Sequence, residues 1–242
     1  IGVFLSSDLY TTFIFFEIMS FTSYTWVAHD ETPGAMRAAE TYLAVAIIGG
    51  MVMLVGLFIL YMTLGTLTIS ELHHAAEECQ NKGALWAASL CILFGFGAKA
   101  GMFPLHGWLP TAHPAAPSPA SAVLSGVITK AGVLGVIRLM YSYLGVNFLA
   151  GSWVQTAYMC LTLLTIFTGS LLAYHEGHLK KRLAWSSVSQ VSYVLFGLFM
   201  LNEVAFRGAM LHVYFHSIMK NLLFLSAGSI IFKTGLTDVR DL

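Results

Sequence analysis

Long apolar runs alternate with short polar segments along almost the whole chain. An α-helix rises about 1.5 Å per residue, so about 20 apolar residues cross a bilayer core of about 30 Å. Seven runs approach or reach that length, and they predict seven transmembrane helices. The runs cover residues 9–28, 38–62, 84–105, 120–144, 153–174, 183–201 and 208–232.

The polar segment at residues 66–82 separates the second run from the third. It contains three acidic residues and two histidines, and its large aliphatic residues are Leu67, Ile69 and Leu72. Those three could lay the segment on the membrane surface as a short amphipathic helix. An ordinary solvated loop fits the same residues equally well, so the sequence leaves both interpretations open.

Basic residues in the connecting loops indicate the orientation of the helices. Residues 180–182 form a Lys-Lys-Arg loop between the fifth and sixth runs. If the runs cross alternately, six Lys and Arg residues lie on the side of that loop and three on the other side. Because short cytoplasmic loops are enriched in Lys and Arg, we predict that the loop is cytoplasmic.

Composition supports an all-α, multi-pass bundle in a cell membrane. The chain of 242 residues is 57% hydrophobic and 10% charged, and its formal net charge is zero. Soluble domains carry about a quarter of charged residues, and a neutral chain offers no basic surface for nucleic acid. The three cysteines lie far apart, which predicts neither a disulfide framework nor a metal site. The chain begins with Ile1 and ends in a charged segment, so we expect a fragment of a longer membrane protein.

Lys99 stands at the end of an apolar run, where the pattern predicts a broken helix. Gly97 and Gly101 flank the lysine, and Pro104 follows. An interrupted helix exposes backbone groups at membrane depth, where they can hold water or stabilise an ammonium group. Burial disfavours a charged lysine, and an approaching carboxylate favours it. A lysine in this setting could therefore take up and release a proton, although a lysine that reaches the interface would fit as well.

Two further charges lie deep in predicted helices. Glu17 stands near the middle of the first run, with no other charge within one turn, and Lys130 is about ten residues from either end of the fourth. Charged residues inside a membrane are costly, and they usually mark an ion or proton pathway. We therefore predict functional roles for both, with a static salt bridge as the alternative for Glu17.

The seventh run carries His212, His216 and Lys220 at spacings of four residues, which places them on one face of a helix. Histidine titrates near neutral pH and can pass a proton between its ring nitrogens, so the three groups suit a proton relay. Metal or haem ligation would need further ligands that the sequence does not show. Histidines with purely structural hydrogen bonds remain a second alternative.

Two other regions could assist such a relay. His106 and His113 follow the predicted helix break, and they could deliver a proton or stabilise a turn. The sixth run is polar without being charged; it could hold water or form hydrogen bonds between helices through Ser186, Ser189 and Gln190.

The assembled motifs resemble the proton-conducting antiporter-like membrane subunits. These subunits occur in respiratory complex I, in multisubunit sodium/proton antiporters and in membrane-bound hydrogenases. The resemblance rests on GAKAGMFPLHGWLPTAH at residues 97–113, APSPASA at 116–122, KKRLAWSSVSQ at 180–190 and the region from His212 to Ser229. It extends over nearly the whole chain.

The resemblance implies about fourteen transmembrane helices containing two inverted five-helix repeats, each with one broken helix. The chain would then be a single transmembrane domain, with part of the first repeat in residues 1–150 and part of the second in residues 151–242. The early helices, the long lateral helix of some members and the second broken helix would lie outside it.

The resemblance also implies a function. Glu17 and Lys99 would form the ion pair of a first half-channel, Lys130 would connect the half-channels, and His212, His216 and Lys220 would continue the path. The expected activity is proton translocation in a redox-driven complex, and a cation/proton antiporter without electron transfer is the alternative.

The expected partners are the lipid bilayer, other membrane subunits, and protons or Na⁺. We expect no redox chemistry and no cofactor in this chain, since flavin, iron–sulfur, NiFe or quinone sites would belong to partner subunits. A haem- or quinone-binding oxidoreductase would need histidines on two facing helices, and only one helix is rich in histidine. A purely structural subunit would not explain the deep charges of Glu17 and Lys130.

Overall fold

The computed structural model describes all 242 residues, which form helices and no strand. Two π-helical segments, Leu124–Ile128 and Arg138–Tyr143, flank α8, and 3₁₀ turns occur at Leu105–Gly107 and Val239–Asp241. The α-helices are α1 (Gly2–Leu5), α2 (Leu9–Val27), α3 (Pro33–Leu64), α4 (Ile69–Glu78), α5 (Lys82–Ala100), α6 (Trp108–Ala115), α7 (Ser118–Val123), α8 (Thr129–Ile137), α9 (Val146–Leu149), α10 (Trp153–His175), α11 (Leu179–Phe199) and α12 (Glu203–Thr234).

The prediction of an all-α membrane bundle is confirmed. Five helical units have both the length and the hydropathy of a membrane span: α3, α5 with α6, the continuous helix from α7 to Tyr143, α10 and α12. The other two long helices, α2 and α11, have 19 and 21 residues and lie at the predicted first and sixth spans. Their higher content of polar residues lowers their hydropathy.

Local sequence signals explain where the helices begin and end. The Asp8 carboxylate accepts a 2.7 Å hydrogen bond from the Thr11 amide and caps α2, and Asn202 caps α12 in the same way through Ala205, at 2.8 Å. α3 ends at Gly65 in the left-handed conformation, with φ 74°, which a residue without Cβ adopts readily.

The predicted break near Lys99 is confirmed. Helix α5 ends at Ala100, Gly101 follows with φ 79°, and α6 begins at Trp108. The Met102 amide donates to the Gly97 carbonyl at 3.0 Å, which closes the end of α5. The sequence did not predict the two π-helical segments in the fourth span.

Residues 66–82 contain a helix and not only a loop. Helix α4 buries Leu72 and Ala76 against the bundle and leaves its acidic residues exposed. Of the two interpretations left open by the sequence, the amphipathic helix therefore describes residues 69–78.

An internal repeat relates the two ends of the chain. Helices α3 and α12 each have 32 residues, and each residue of α12 corresponds to the residue 170 positions earlier in α3. The same offset relates two isolated bridges, Asp8 with Thr68 and His178 with Asp238. Helix α11 begins at Leu179, 170 residues after α2 begins at Leu9, so the same offset also relates these two helices.

The broken helix lies at the centre of the bundle. The span formed by α5 and α6 and the span from α7 to Tyr143 are mostly buried, whereas α10 and α12 are mostly exposed. Helix α5 packs against α3 on one side and α8 on the other. The centre of the molecule is therefore built around the two helices that carry Lys99 and Lys130.

Candidate functional site

Lys99 is buried in the last turn of α5, with 2% of its surface exposed. Its Nζ donates hydrogen bonds to the hydroxyls of Ser20, at 2.8 Å, and Tyr42, at 2.6 Å. The same Nζ lies 4.5 Å from the centre of the Tyr42 ring. The Phe16 ring centre lies 5.8 Å from Nζ as well, so two hydroxyl acceptors and two aromatic faces stabilise the ammonium group.

Glu17 lies one turn before Ser20 on α2, close to Gly50 of α3. Its Oε1 is buried and has no hydrogen-bond partner. The five ion pairs in the structure include neither Glu17 nor Lys99. The direct Glu17–Lys99 ion pair that the family resemblance implied is therefore not formed, because Lys99 is held by the hydroxyls of Ser20 and Tyr42.

A cavity of about 10 Å³ lies beside Lys99. Phe16, Tyr42, Gly95 and Trp108 are among the residues that line it. About 10–15 Å³ is the space that one water molecule needs. The surroundings of Lys99 are thus large enough for a single bridging water.

Lys130 is also buried, with 7% of its surface exposed. Its Nζ donates to the Ser125 carbonyl at 2.6 Å and to the Thr129 hydroxyl at 3.3 Å, and it forms a 2.7 Å hydrogen bond with Nδ1 of His216. Ser125 belongs to the first π-helical segment, where the wider turn leaves room for side-chain donors at a backbone carbonyl.

The predicted face of α12 points into the bundle. The His212 and His216 rings are stacked with centroids 6.0 Å apart, and Nε2 of each ring is buried without a partner. Lys220, one turn further, donates to the Leu183 carbonyl and to the Ser186 hydroxyl, both at 2.9 Å. We define the Lys130 cluster as Lys130, His216, His212 and Lys220, together with Ser125 and Ser186.

Two more histidines follow the helix break. His113 is fully buried, its ring stacks on Phe224 at 4.5 Å, and neither ring nitrogen has a partner. Phe224 is one turn beyond Lys220, so His113 continues the polar face of α12 from a neighbouring helix. His106 lies further away, between the rings of Phe103 and Trp185.

The polar residues of α11 serve two purposes. Ser186 contacts Lys220, as described above. The Ser189 hydroxyl is 2.7 Å from that of Ser170 on α10, which is a bond between packed helices. Gln190 is half-buried next to Ser189.

Two residues of the site were missed in the sequence. Ser20 and Tyr42 contact Lys99, but neither is charged. Ser20 had a signal, since it lies one turn from Glu17 on the same helix, whereas Ser125 and Thr129 stand beside Lys130 in the sequence as polar neighbours. We define the Lys99 cluster as Glu17, Ser20, Tyr42 and Lys99.

The two clusters lie on closely packed helices. Gly132 of α8 lies so near α5 that a Cβ there would overlap the Phe96 carbonyl and the Ala100 amide. No hydrogen bond between side chains connects the clusters. The arrangement therefore provides two separate sets of buried, titratable groups that water could connect. No group of three or more His, Cys, Asp or Glu side chains is placed to hold a metal ion.

Comparison with known proteins gives consistent matches. The chain is 32% identical over 242 residues to a Na(+)/H(+) antiporter subunit of Alkalihalophilus pseudofirmus, in an alignment that covers 99% of this chain and 48% of that protein. It is 32% identical to an NADH-quinone oxidoreductase subunit of Desulforudis audaxviator, over 100% of this chain and 48% of the relative. It is 33% identical to hydrogenase-4 component B of Escherichia coli, over 93% of this chain and 35% of the relative. The chain thus spans about half or less of the length of these relatives.

Two solved structures share the fold. A chain of the Mrp complex from Dietzia sp. superposes with a TM-score of 0.85 at 29% identity, over 95% of this chain and 42% of that one. A chain of the membrane-bound sulfane sulfur reductase, an archaeal respiratory membrane complex, gives a TM-score of 0.88 at 26% identity, over 99% and 49%. The family model described as "NADH:quinone oxidoreductase/Mrp antiporter, TM" matches residues 6–242, so this multi-pass membrane chain belongs to that family.

Proposed function

We propose that this chain forms the proton-conducting part of an antiporter-like subunit in a redox-driven membrane complex. The observation that carries the proposal is the pair of buried lysine clusters at the centre of the bundle, on helices that pack against each other. Buried ionisable groups in a membrane are costly, and proton transfer is the common reason for them. The relatives named as antiporter, oxidoreductase and hydrogenase components support a shared transport function.

Proton movement begins at the Lys99 cluster. A shift of Lys99 from Tyr42 towards Glu17 would pair the lysine with a carboxylate whose Oε1 has no partner. Such a pairing favours the charged lysine, and its separation favours release of the proton. The interruption of the helix after Ala100 provides the mobility that this shift requires.

The Lys130 cluster receives the proton. Lys130 shares a hydrogen bond with Nδ1 of His216, and imidazole can pass a proton from one nitrogen to the other. His212, Lys220 and the buried His113 extend the path in both directions along α12. Auxiliary groups orient the proton carriers or the water between them; these groups are Ser186, Ser189, Gln190 and His106.

Substitution of Lys130 tests the proposal in the full-length protein and its complex. Lys130→Ala should abolish proton pumping while electron transfer in the partner subunits continues. Lys233→Ala, an exposed lysine on the same helix bundle, is the matched control and should pump normally. Full pumping by the Lys130 variant would refute the relay.

A cation/proton antiporter is the second candidate function, because one relative is named as a component of a Na(+)/H(+) antiporter. Membrane vesicles without an electron donor distinguish the two. Proton flux that depends on a Na⁺ gradient under those conditions would favour the antiporter, and flux that requires electron transfer would favour the redox-driven complex.

A further inference from the structure

The Tyr42 hydroxyl links Lys99 to a second buried hydroxyl, that of Ser23 near the end of α2. It accepts from the lysine at 2.6 Å and shares a short hydrogen bond with the Ser23 hydroxyl. Ser23 can in turn donate to the Met19 carbonyl, at 2.6 Å. Lys99, Tyr42 and Ser23 thus form a continuous chain of hydrogen bonds between α5, α3 and α2.

This chain leads away from Glu17. Helix α2 runs from Leu9 to Val27, and Ser23 lies near its end, whereas Glu17 lies near its middle. Tyr42 lies near the start of the returning helix α3, and Gly50, which faces Glu17, lies two turns further on. Along the axis of α2, the Ser20 contact of Lys99 therefore lies between Glu17 on one side and Ser23 on the other.

The route ends near a solvent-facing cavity at the turn between α2 and α3. That cavity has a volume of about 550 Å³, and its lining includes Tyr24, His29 and Glu31. Tyr24 of its lining directly follows Ser23 in the chain. Val27 lies one turn after Ser23 and Ala39 one turn before Tyr42, and both are fully buried in the apolar cluster around Tyr42. The route is closed by apolar side chains in this structure.

The internal repeat gives independent support. The position 170 residues after Tyr42 is His212, which belongs to the Lys130 cluster. Corresponding places on α3 and α12 thus carry a tyrosine and a histidine, and both side chains can accept one proton while donating another.

We propose that Tyr42 and Ser23 form a proton-loading route that supplies Lys99 from the face where α2 ends. The inference deepens the proposed function and rests on it. A proton from hydronium in the cavity binds Ser23 Oγ once the turn at Val27 and Ala39 opens. The original hydroxyl proton of Ser23 passes to the Tyr42 oxygen, and the original phenolic proton of Tyr42 passes to the neutral amine of Lys99. Each hydroxyl gains one proton and loses one, and only Lys99 changes charge.

Tyr42 variants of the full-length protein, reconstituted with its complex in proteoliposomes, test the route. Tyr42→Phe keeps the aromatic ring that packs on Trp108, with centroids 4.9 Å apart, but removes the hydroxyl. It should lower proton transport by about tenfold or more, since proton transfer by positioned side chains contributes at least that factor. Tyr42→His should restore much of the loss, because imidazole can relay a proton and a purely structural phenol could not be replaced in this way.

Ser23→Ala should lower transport as well, and its neighbours provide the controls. Thr22 is exposed and bonds only to carbonyls of its own helix, and Tyr61 is exposed on α3. Thr22→Ala and Tyr61→Phe should therefore transport protons at the unmodified rate.

A Lys99→Ala variant distinguishes a failure of the proposed proton-conducting function from a failure of the Tyr42–Ser23 route. If Lys99→Ala still pumps, the proposed function itself fails. If Lys99→Ala is inactive while Tyr42→Phe and Ser23→Ala pump normally, the function stands and the hydroxyl route is refuted. Loss in both hydroxyl variants with rescue by Tyr42→His supports the route.

Discussion

Nζ of Lys130 and Nδ1 of His216 lie 2.7 Å apart, and this hydrogen bond joins two helices that belong to different halves of the chain. Lys130 follows the first π-helical segment, and His216 lies on α12. A lysine that donates to Nδ1 leaves Nε2 of the same ring as the site of the histidine proton. Nε2 is buried without a partner, which leaves it available to the next carrier.

We expect the effects of Lys130→Gln and His216→Gln on proton transport to be strongly non-additive. Each change alone should lower the rate by about tenfold or more. The double variant should transport no more slowly than Lys130→Gln, because contacting residues typically show coupling of about 0.5–3 kcal/mol. The measurement is the initial proton flux of the four proteins, with the exposed His175→Gln as control. Additive losses would mean that the two groups act independently.

Glu17→Gln should lower proton transport without weakening the fold. The carboxylate oxygen Oε1 is buried and unpaired, and an unpaired buried charge does not stabilise a structure. The neutral amide removes the group towards which Lys99 would move. We therefore expect a transport rate lower by about tenfold and a melting temperature that is unchanged or higher. Glu40→Gln, at an exposed acid of α3, should change neither quantity.

The sequence predicted the bundle and its charged centre because these features depend on residues with few alternatives. Apolar runs of membrane length favour spanning helices, and glycines on both sides of Lys99 with Pro104 after it favour the end of a helix. Both the bundle and the break at Gly101 are confirmed. Only five of the seven predicted spans have the hydropathy of a membrane helix. The other two, α2 and α11, are less apolar because α2 is rich in serine and threonine and α11 is rich in serine.

The remainder of the site depends on contacts between distant helices, which a single sequence does not specify. Tyr42 is 57 residues from Lys99, and nothing near Tyr42 in the sequence indicates a lysine partner. Ser125, in the π-helical segment before Lys130, contacts Ser187 of α11, and their hydroxyls are 2.9 Å apart. Helical periodicity could place Glu17 on a face, but it could not show that Ser20 and Tyr42 would hold Lys99 instead.

Gly50→Ala tests whether Glu17 needs its present position. A Cβ at Gly50 would overlap Oε1 of Glu17, so the carboxylate would have to move. We expect lower proton transport and a lower melting temperature, since overpacking costs about 1–3 kcal/mol. Gly208→Ala is the matched control, because a Cβ there meets no atom within 4 Å. That change should raise stability by about 0.5–1 kcal/mol, as expected for alanine in place of glycine inside a helix. Normal transport in the Gly50 variant would show that Glu17 can act from another position.

The Glu176–Lys181 pair predicts how stability responds to acid. The Lys181 side chain lies 2.8 Å from Glu176 Oε2 and lowers the pKa of that carboxyl, chiefly through this hydrogen bond. The pKa of Asp238, in the neighbouring segment, is lowered by its hydrogen bonds with Arg240. A carboxyl whose pKa is depressed by folding stabilises the protein above its unfolded pKa, about 4. That contribution is lost as pH falls through the lower, folded value.

The melting temperature of the detergent-solubilised protein should therefore fall between about pH 4.3 and the more acidic folded pKa of Glu176. Glu176→Gln removes the titrating group, so this variant should be slightly less stable at pH 7 and should lose less stability on acidification. The difference at pH 7 should be at most about 1 kcal/mol, because half-exposed ion pairs contribute little. Glu203→Gln, which breaks the exposed pair with Arg207, is the control for general loss of an ion pair. An acid response of Glu176→Gln equal to that of the unmodified protein would show that the loop between α10 and α11 does not depend on this carboxylate.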